Sequence, residues 1–279
     1  MISDTVSKAI AEVPPDLDLL NLEWDPENTV SQSSLNMFIR CPRQWKYKDL
    51  KLPTISVPSE AAEFGSSVHA KIADYHKSIS DPRWMTEAGI LERLENILFT
   101  IEKVPKGKNM RKIVSELLKF ELWRKRRYPE ESMIPTGSEL YFKVPPFHGY
   151  IDMLAHDFVL DWKTGNSTVS QAYIREVNVY FYAALGLGHP VKKGFLMFLE
   201  TGMKPMVPIN LPKVLKEAYV FFKLTSDPLF SYPPNRTWLC RWCSWRNICE
   251  QENKSAHEFV ISVILRKRFE RLREVGILE

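Results

Sequence analysis

None of the apolar runs in this 279-residue chain is long enough to span a bilayer. Its first residues, MISDTVSKAIAEVPPD, have no basic stretch leading into an apolar one. A membrane anchor and a secretory leader are therefore not expected, and the expected location is cytoplasmic. Cysteine is scarce, with only four residues. In a chain expected to stay in a reducing compartment, four thiols suit metal ligation or free thiols better than a disulfide framework. Charge of one sign is not in excess either: 38 Lys and Arg face 34 Asp and Glu, a net +4 that permits nucleic-acid binding without arguing for it. There is no internal repeat and no low-complexity tract. The composition, 44% hydrophobic and 26% charged, matches a soluble domain with a sizeable core. Two basic clusters stand out, WRKRRYP at 123–129 and LRKRFERLR at 265–273. Each is either a solvated helix face or part of a nucleic-acid surface.

Periodicity divides the chain. Residues 1–30 are acidic and proline-bearing and are expected to form an irregular arm. A helical portion follows over 31–135. Its first helix carries Leu35, Phe38 and Ile39 on one face and is broken or restarted at Pro42. A second helix runs near 59–77 with Phe64, Val68, Ile72 and Tyr75 on its stripe, and two more lie near 86–102 and 108–127. The segment 84–129 carries no motif and is where substrate choice and partner docking are expected. From 136 to 225 the pattern turns to strands, ELYFKVP, GYIDMLA and FVLDWK, then a helix near 170–187, strands at GFLMFLE and KPMVPIN, and a helix at 212–224. The last portion, 226–279, holds three cysteines and a basic helix at 257–275. The fold class expected is α/β: a mixed central sheet flanked by helices, with a helical N-terminal portion.

The hairpin GYIDMLAHDFVLDWKTGN carries acids and a lysine where a strand core would take apolar groups. Asp161 and Lys163 project to one side of their strand and Trp162 to the other, and Asp152 sits on the partner strand. A D-x-K triplet alone means little: Asp49-Leu50-Lys51 has the same spacing with no partner carboxylate, and Glu252-Asn253-Lys254 is a similar decoy. Two carboxylates on adjacent strands make a hard oxygen site for Mg²⁺ or Mn²⁺. A nearby lysine can hold an attacking water or stabilise phosphoryl charge. The bland alternative is a surface hairpin in which Lys163 pairs with an aspartate.

Gly149-x-x-Asp152 followed by Asp161-x-Lys163-Thr-Gly165 resembles the PD-(D/E)XK nuclease superfamily, and within it the RecB-like exonucleases. The upstream Gly65-Ser-Ser-Val-His69 matches that group's G-x-x-x-H helix motif. Its Q-x-x-x-Y motif is met by Asn178-Val-Tyr-Phe-Tyr182, with asparagine in place of glutamine. The resemblance implies a restriction-endonuclease-like core in which His69, Asp152, Asp161 and the Trp162 backbone carbonyl hold the metal. It also implies that Lys163 is catalytic together with Asp152 and Asp161, and that Tyr182 and Asn178 contact substrate. Glu139 falls where relatives often carry an acid and is a secondary candidate.

The cysteines are Cys41, followed by Pro42 and Tyr47, and the terminal Cys240-x2-Cys243-x5-Cys249. From coordination chemistry alone, zinc is the default for four thiolates. The CP-x4-Y helix plus a terminal C-x2-C-x5-C is similar to the iron–sulfur nucleases among the RecB-like enzymes, the CRISPR-associated exonucleases and the AddB-type subunits. That resemblance implies a structural 4Fe-4S cluster stapling the chain ends, with Trp238, Trp242 and Trp245 shielding it or stacking on bases. The expectation is a Mg- or Mn-dependent deoxyribonuclease trimming single-stranded DNA, with protein partners from recombination or CRISPR adaptation. The alternatives are a non-catalytic DNA-binding or adaptor protein with a nuclease fold, and a four-cysteine zinc protein with an incidental acidic hairpin.

Overall fold

The computed structural model describes residues 2–54, 59–79, 86–129, 134–165 and 168–253. The basic helix expected at 257–275, and with it the cluster at 265–273, lies outside the described residues. The sheet has five strands: β1 (Val30–Ser31), β2 (Gly137–Val144), β3 (Phe147–Ala155), β4 (Phe158–Lys163) and β5 (Lys193–Phe198). β2 and β4 both run antiparallel to β3, while β5 is parallel to β4 and β1 parallel to β3. Eight helices complete the described fold: α1 (Asp4–Ala11), α2 (Gln32–Arg40), α3 (Pro42–Asp49), α4 (Glu60–Ser78), α5 (Glu87–Leu98), α6 (Met110–Arg127), α7 (Gln171–Gly186) and α8 (Leu211–Thr225). Polar residues start most of them. Ser31, Ser59, Thr86, Asn109, Ser170 and Asn210 each accept a backbone N–H of the first turn, which satisfies a donor the helix itself cannot.

Alternation along β4, and along β3 with a change of phase between Ile151 and Met153, builds a core on each face of the sheet. One face carries Ile151, Leu154 and Val159 against α1, α2, α7 and α8. The other carries Met153, Leu160 and Trp162 against α4, α5 and α6. The result is a mixed α/β fold with helices on both faces of a central sheet. Residues 31–135, expected as one helical portion, divide between the faces: α2 and α3 join the first, α4–α6 the second. Among the described residues no helix is long and apolar enough to cross a membrane.

Two expectations need correction. Residues 1–30 are not wholly irregular, because α1 forms and buries Val6 against the first core, while the Ser3 amide donates to Ile39 O at 2.8 Å. KPMVPIN is not a strand. It makes only isolated bridges, Phe198 with Met203 and Phe195 with Met206, since Pro205 and Pro208 offer no N–H to a ladder.

The first basic cluster is not a simple solvated face either. Arg124 is fully buried under the sheet, its Nη2 donating to Glu121 Oε2 at 2.5 Å. His76 completes the group, 3.4 Å from Glu121 and 3.0 Å from the Ser138 hydroxyl. Burial depresses the His76 pKa below its usual 6.5. Burial pushes Glu121 up, but the Arg124 charge and the His76 contact outweigh it and hold the carboxyl below 4.5. Both groups bind fewer protons folded than unfolded, so stability is present at neutral pH and is lost as pH falls, first below 6.5 and then below 4.5. His76→Gln is expected to flatten the pH 7 to 5 part of that decline, by up to about 1.4 kcal/mol per pH unit. Thermal melting of both proteins across that range checks it, and parallel curves would exclude His76 as the cause.

Candidate functional site

On the side of β3 that faces β4, β1 ladders residues 147–148 and β4 ladders residues 153–155. Between them the strands splay, and the Asp152 side chain fills the gap. Its Oδ2 accepts the Trp162 amide at 2.9 Å and its Oδ1 accepts the Tyr180 hydroxyl at 3.0 Å. Asp152 is thus fixed by a strand amide and a helix phenol rather than by solvent.

Two glycines allow the close approaches the site needs. Gly149 sits at φ +155°, where a Cβ would lie 2.6 Å from Gln32 Oε1. At Gly65 a Cβ would lie 3.1 Å from the Thr164 hydroxyl, so α4 comes down tightly on the loop after β4. That approach carries His69 to the sheet, its Nδ1 3.3 Å from Asp152 Oδ2 and 3.6 Å from Glu139 Oε1. Glu139 lies between the Ser138–Met153 and Leu140–Ile151 pairs of the β2–β3 ladder and holds φ +50°, a left-handed conformation that costs a non-glycine residue about 1–3 kcal/mol.

Ligand atoms of His69, Glu139 and Asp152 lie within 4.8 Å of one another, a set that a single cation can bridge. Asp161, expected among the ligands, is not in that set. Its Oδ2 is 2.8 Å from Lys163 Nζ, and Lys163 is also 2.6 Å from Glu176 Oε2. Burial would lower the His69 pKa, but the Asp152 charge and hydrogen bonds to Asp152 and Glu139 raise it to about 10. Burial likewise opposes the Asp152 carboxylate, yet His69 and Lys163 hold its pKa at about 2. Asp161 is pushed well above the ordinary carboxyl range by burial and by the neighbouring Asp152 and Glu176 charges, with Lys163 pulling the other way. The buried Asp161 Oδ2 receives no well-directed hydrogen bond. Two adjacent acids that cannot both ionise comfortably, with an imidazole and a third carboxylate beside them, fit a hard divalent ion.

Asn178 and Tyr182 do not join this group. Asn178 is buried on another face of α7, accepting the Asn210 amide at 2.6 Å and donating to Pro208 O at 3.2 Å, so it braces the start of α8. The Tyr182 hydroxyl donates to Pro145 O at 2.8 Å, and its ring packs edge-on against Phe147. The α7 residues that do reach the site are Glu176 and Tyr180, two positions earlier with the same spacing. Asn178→Ala is accordingly expected to lower stability by about 1–3 kcal/mol, because it orphans a buried amide, while leaving turnover within about twofold. Urea unfolding beside a cleavage assay checks this, and a selective loss of turnover would return Asn178 to the site.

Cys41, Cys240, Cys243 and Cys249 all line one cavity of about 560 Å³ between the start of α3 and the C-terminal segment. The four cysteines are free, and no three of their sulfurs lie within 4.8 Å of one another. Backbone amides of Asn235 and Thr237 donate to Cys41 Sγ and Cys240 Sγ, both at 3.4 Å. Arg43, Arg236 and Arg246 share the cavity wall. Burial raises the Cys243 pKa, and the other three thiols add to the rise. Of the three tryptophans expected around the cysteines, only Trp245 is buried, its Nε1 donating to Leu52 O at 3.1 Å. Trp238 and Trp242 are 60% and 73% exposed, with Arg241 against both rings.

A family model described as the PD-(D/E)XK nuclease superfamily matches residues 29–250. Among solved structures, one titled "Crystal structure of SSO0001" aligns over 88% of this chain and 93% of its own, at 14% identity and a TM-score of 0.37. No curated protein matches the sequence.

Proposed function

The chain belongs to the PD-(D/E)XK nuclease superfamily, and we propose from that premise that it is a divalent-metal-dependent deoxyribonuclease acting on DNA phosphodiesters. The observation that carries the proposal is the convergence of His69, Glu139 and Asp152 beside a partly buried Asp161–Lys163–Glu176 chain at the splay of β3 and β4. His69, Glu139 and Asp152 would hold the metal, with Asp161 and the Trp162 carbonyl as adjoining ligands. A bound Mg²⁺ or Mn²⁺ supplies Lewis-acid polarisation of the phosphate and a more acidic water.

The chain's own residues then have distinct tasks. Tyr180 and the Trp162 amide keep Asp152 oriented. Glu176 holds the Lys163 ammonium beside Asp161, where it can donate a hydrogen bond to an attacking water's oxygen or offset charge on the phosphoryl oxygens. Glu139, first a secondary candidate, is a member of the metal-holding set in this reading.

The cysteine cavity supports an iron–sulfur cluster in preference to zinc. Tetrahedral zinc with Zn–S near 2.3 Å would draw its sulfurs to about 3.8 Å apart, whereas no three of these thiols lie within 4.8 Å of one another. Amide donors aimed at sulfur and nearby arginines suit a cluster carrying net negative charge. With that cluster the chain fits the RecB-like iron–sulfur exonucleases. Single-stranded DNA is the proposed substrate, and recombination or CRISPR-adaptation proteins are the proposed partners.

The test is degradation of end-labelled single-stranded and duplex DNA in Mn²⁺, Mg²⁺ or EDTA by protein purified without oxygen, with iron and zinc measured. Metal-dependent loss of substrate from its ends with stoichiometric iron supports the reading. Binding without cleavage moves the adaptor alternative forward, and stoichiometric zinc without iron removes the cluster.

A further inference from the structure

The metal-holding pair does not end the chemistry of its sheet face. Side chains two apart on a strand share a face, so the β2–β3 ladder presents successive rungs there. Glu139 and Asp152, which line the same cavity as the next pair, form the first. Tyr141 opposite Tyr150 is the second, and Lys143 opposite His148 is the third. The rungs are spaced by about 6.7 Å, two residues of strand rise. Helix α4 brings His69 to the first of them. Beyond it both tyrosines are open, at 55% and 52% exposure, with ring centroids 5.3 Å apart and planes at 61°.

This arrangement leaves ring surface turned to solvent beside an acidic metal pocket. The tyrosines, His148 and the His69–Glu139–Asp152 set line one continuous cavity of about 470 Å³. A cross-strand aromatic pair does support a hairpin, yet that alone does not call for it at the mouth of a metal site followed by a cation. Lys143 is itself exposed and only loosely held, 3.6 Å from the exposed Glu27.

We infer that this strip binds the nucleotide next to the scissile phosphate, with Tyr141 and Tyr150 stacking on its base and Lys143 pairing with the phosphate beyond. The inference rests on the nuclease reading for what occupies the first rung. It adds the residues that select an unpaired strand. A base in duplex has both faces covered by its neighbours, whereas an unstacked base can offer one to tyrosine. Base–aromatic stacking tolerates any sequence, so the strip selects for strandedness and not for base identity.

The experiment is binding of the full-length protein to fluorescein-labelled oligo-dT and to a blunt duplex in EDTA, where nothing is cleaved. Threonine keeps strand preference without a ring, so Tyr141→Thr with Tyr150→Thr is the main variant and Tyr141→Phe with Tyr150→Phe the rescue. The threonine variant is expected to lose about 5- to 100-fold in oligo-dT affinity with duplex affinity unchanged, and the phenylalanine variant to bind as wild type. Lys143→Ala is expected to reduce the slope of log affinity against log salt by about one. Equal loss on both DNAs, no loss on either, or failure of phenylalanine to restore binding overturns the inference. So does a change in oligomeric state without a change in DNA affinity, which would make the pair a protein contact. Tyrosine-dependent binding by a protein that cleaves nothing in Mn²⁺ supports the strip while removing the nuclease reading.

Discussion

Replacing Lys163 with alanine is expected to reduce metal-dependent DNA hydrolysis by roughly 10²- to 10⁴-fold, with DNA affinity changed only a few fold. The ammonium is largely buried, 17% exposed, and pinned between Asp161 and Glu176 at 2.8 and 2.6 Å. Burial alone would lower its pKa, but those two carboxylates raise it, so it is a cation at any working pH. A fixed cation of that kind acts on charge that grows as the phosphoryl group is attacked, and it needs no reorientation at that moment. Its contribution therefore falls on turnover rather than on binding. The variant has a second consequence, since Asp161 and Glu176 lose their counter-charge and must take up protons or repel. Manganese affinity and melting temperature have to be measured alongside cleavage for that reason. Lys163→Arg keeps the charge on a broader, planar group and is expected to retain the fold and metal with partial activity. If Lys163→Ala cleaves within about threefold of wild type, Lys163 has no catalytic role.

The strands that position this site were legible in the sequence because their physics is local. FVLDWK is rich in β-branched and aromatic residues and ends in charge, and β4 occupies those residues. The cysteines were legible because short spacings constrain where thiols can go, and all four reach one cavity. The α7 residues were not. Asn178-x3-Tyr182 and Glu176-x3-Tyr180 have identical spacing, yet two residues turn a helix by about 200°, onto the opposite side. An apolar stripe would have separated them, but α7 is buried nearly all round, with Val177, Val179, Tyr180, Phe181, Ala183 and Ala184 all covered. Only the position of Lys163 on the neighbouring strand decides which side faces the acids. The left-handed backbone at Glu139 has no sequence signal either, since glutamate is not a residue that favours positive φ. Helix α1 escaped because eight residues are marginal alone, and packing against α8 and α2 makes up the difference.

Cys243→Ser is expected to lose the iron and lower stability by several kcal/mol, with nuclease activity falling as a consequence. Cys41 ends α2 and starts α3, whereas Cys240, Cys243 and Cys249 follow the whole sheet, so a cluster joining them closes a loop of about two hundred residues. By the loop-entropy argument for a cross-link of that length, closure contributes on the order of 5 kcal/mol. Other contacts join the same ends: Tyr47 to Glu252 at 2.6 Å, Arg43 to Asn253 at 3.1 Å, Asn235 Nδ2 to Arg40 O at 2.8 Å, Trp245 Nε1 to Leu52 O at 3.1 Å, and the Trp45 ring stacked on Tyr232. The polar ones each contribute about 0.5–1.5 kcal/mol, and none closes the loop covalently as the proposed cluster would. The segment after α8 should therefore become sensitive to protease in the variant, while the sheet and α4–α6, whose core lies on the other side, melt later. The site at His69, Glu139 and Asp152 should still bind Mn²⁺ at low temperature, which separates loss of the staple from loss of the catalytic centre. A Cys243→Ser protein with wild-type iron content and melting behaviour would show that the cavity is not the cluster's site, and full stability without iron would show that the cluster does not hold the chain ends together.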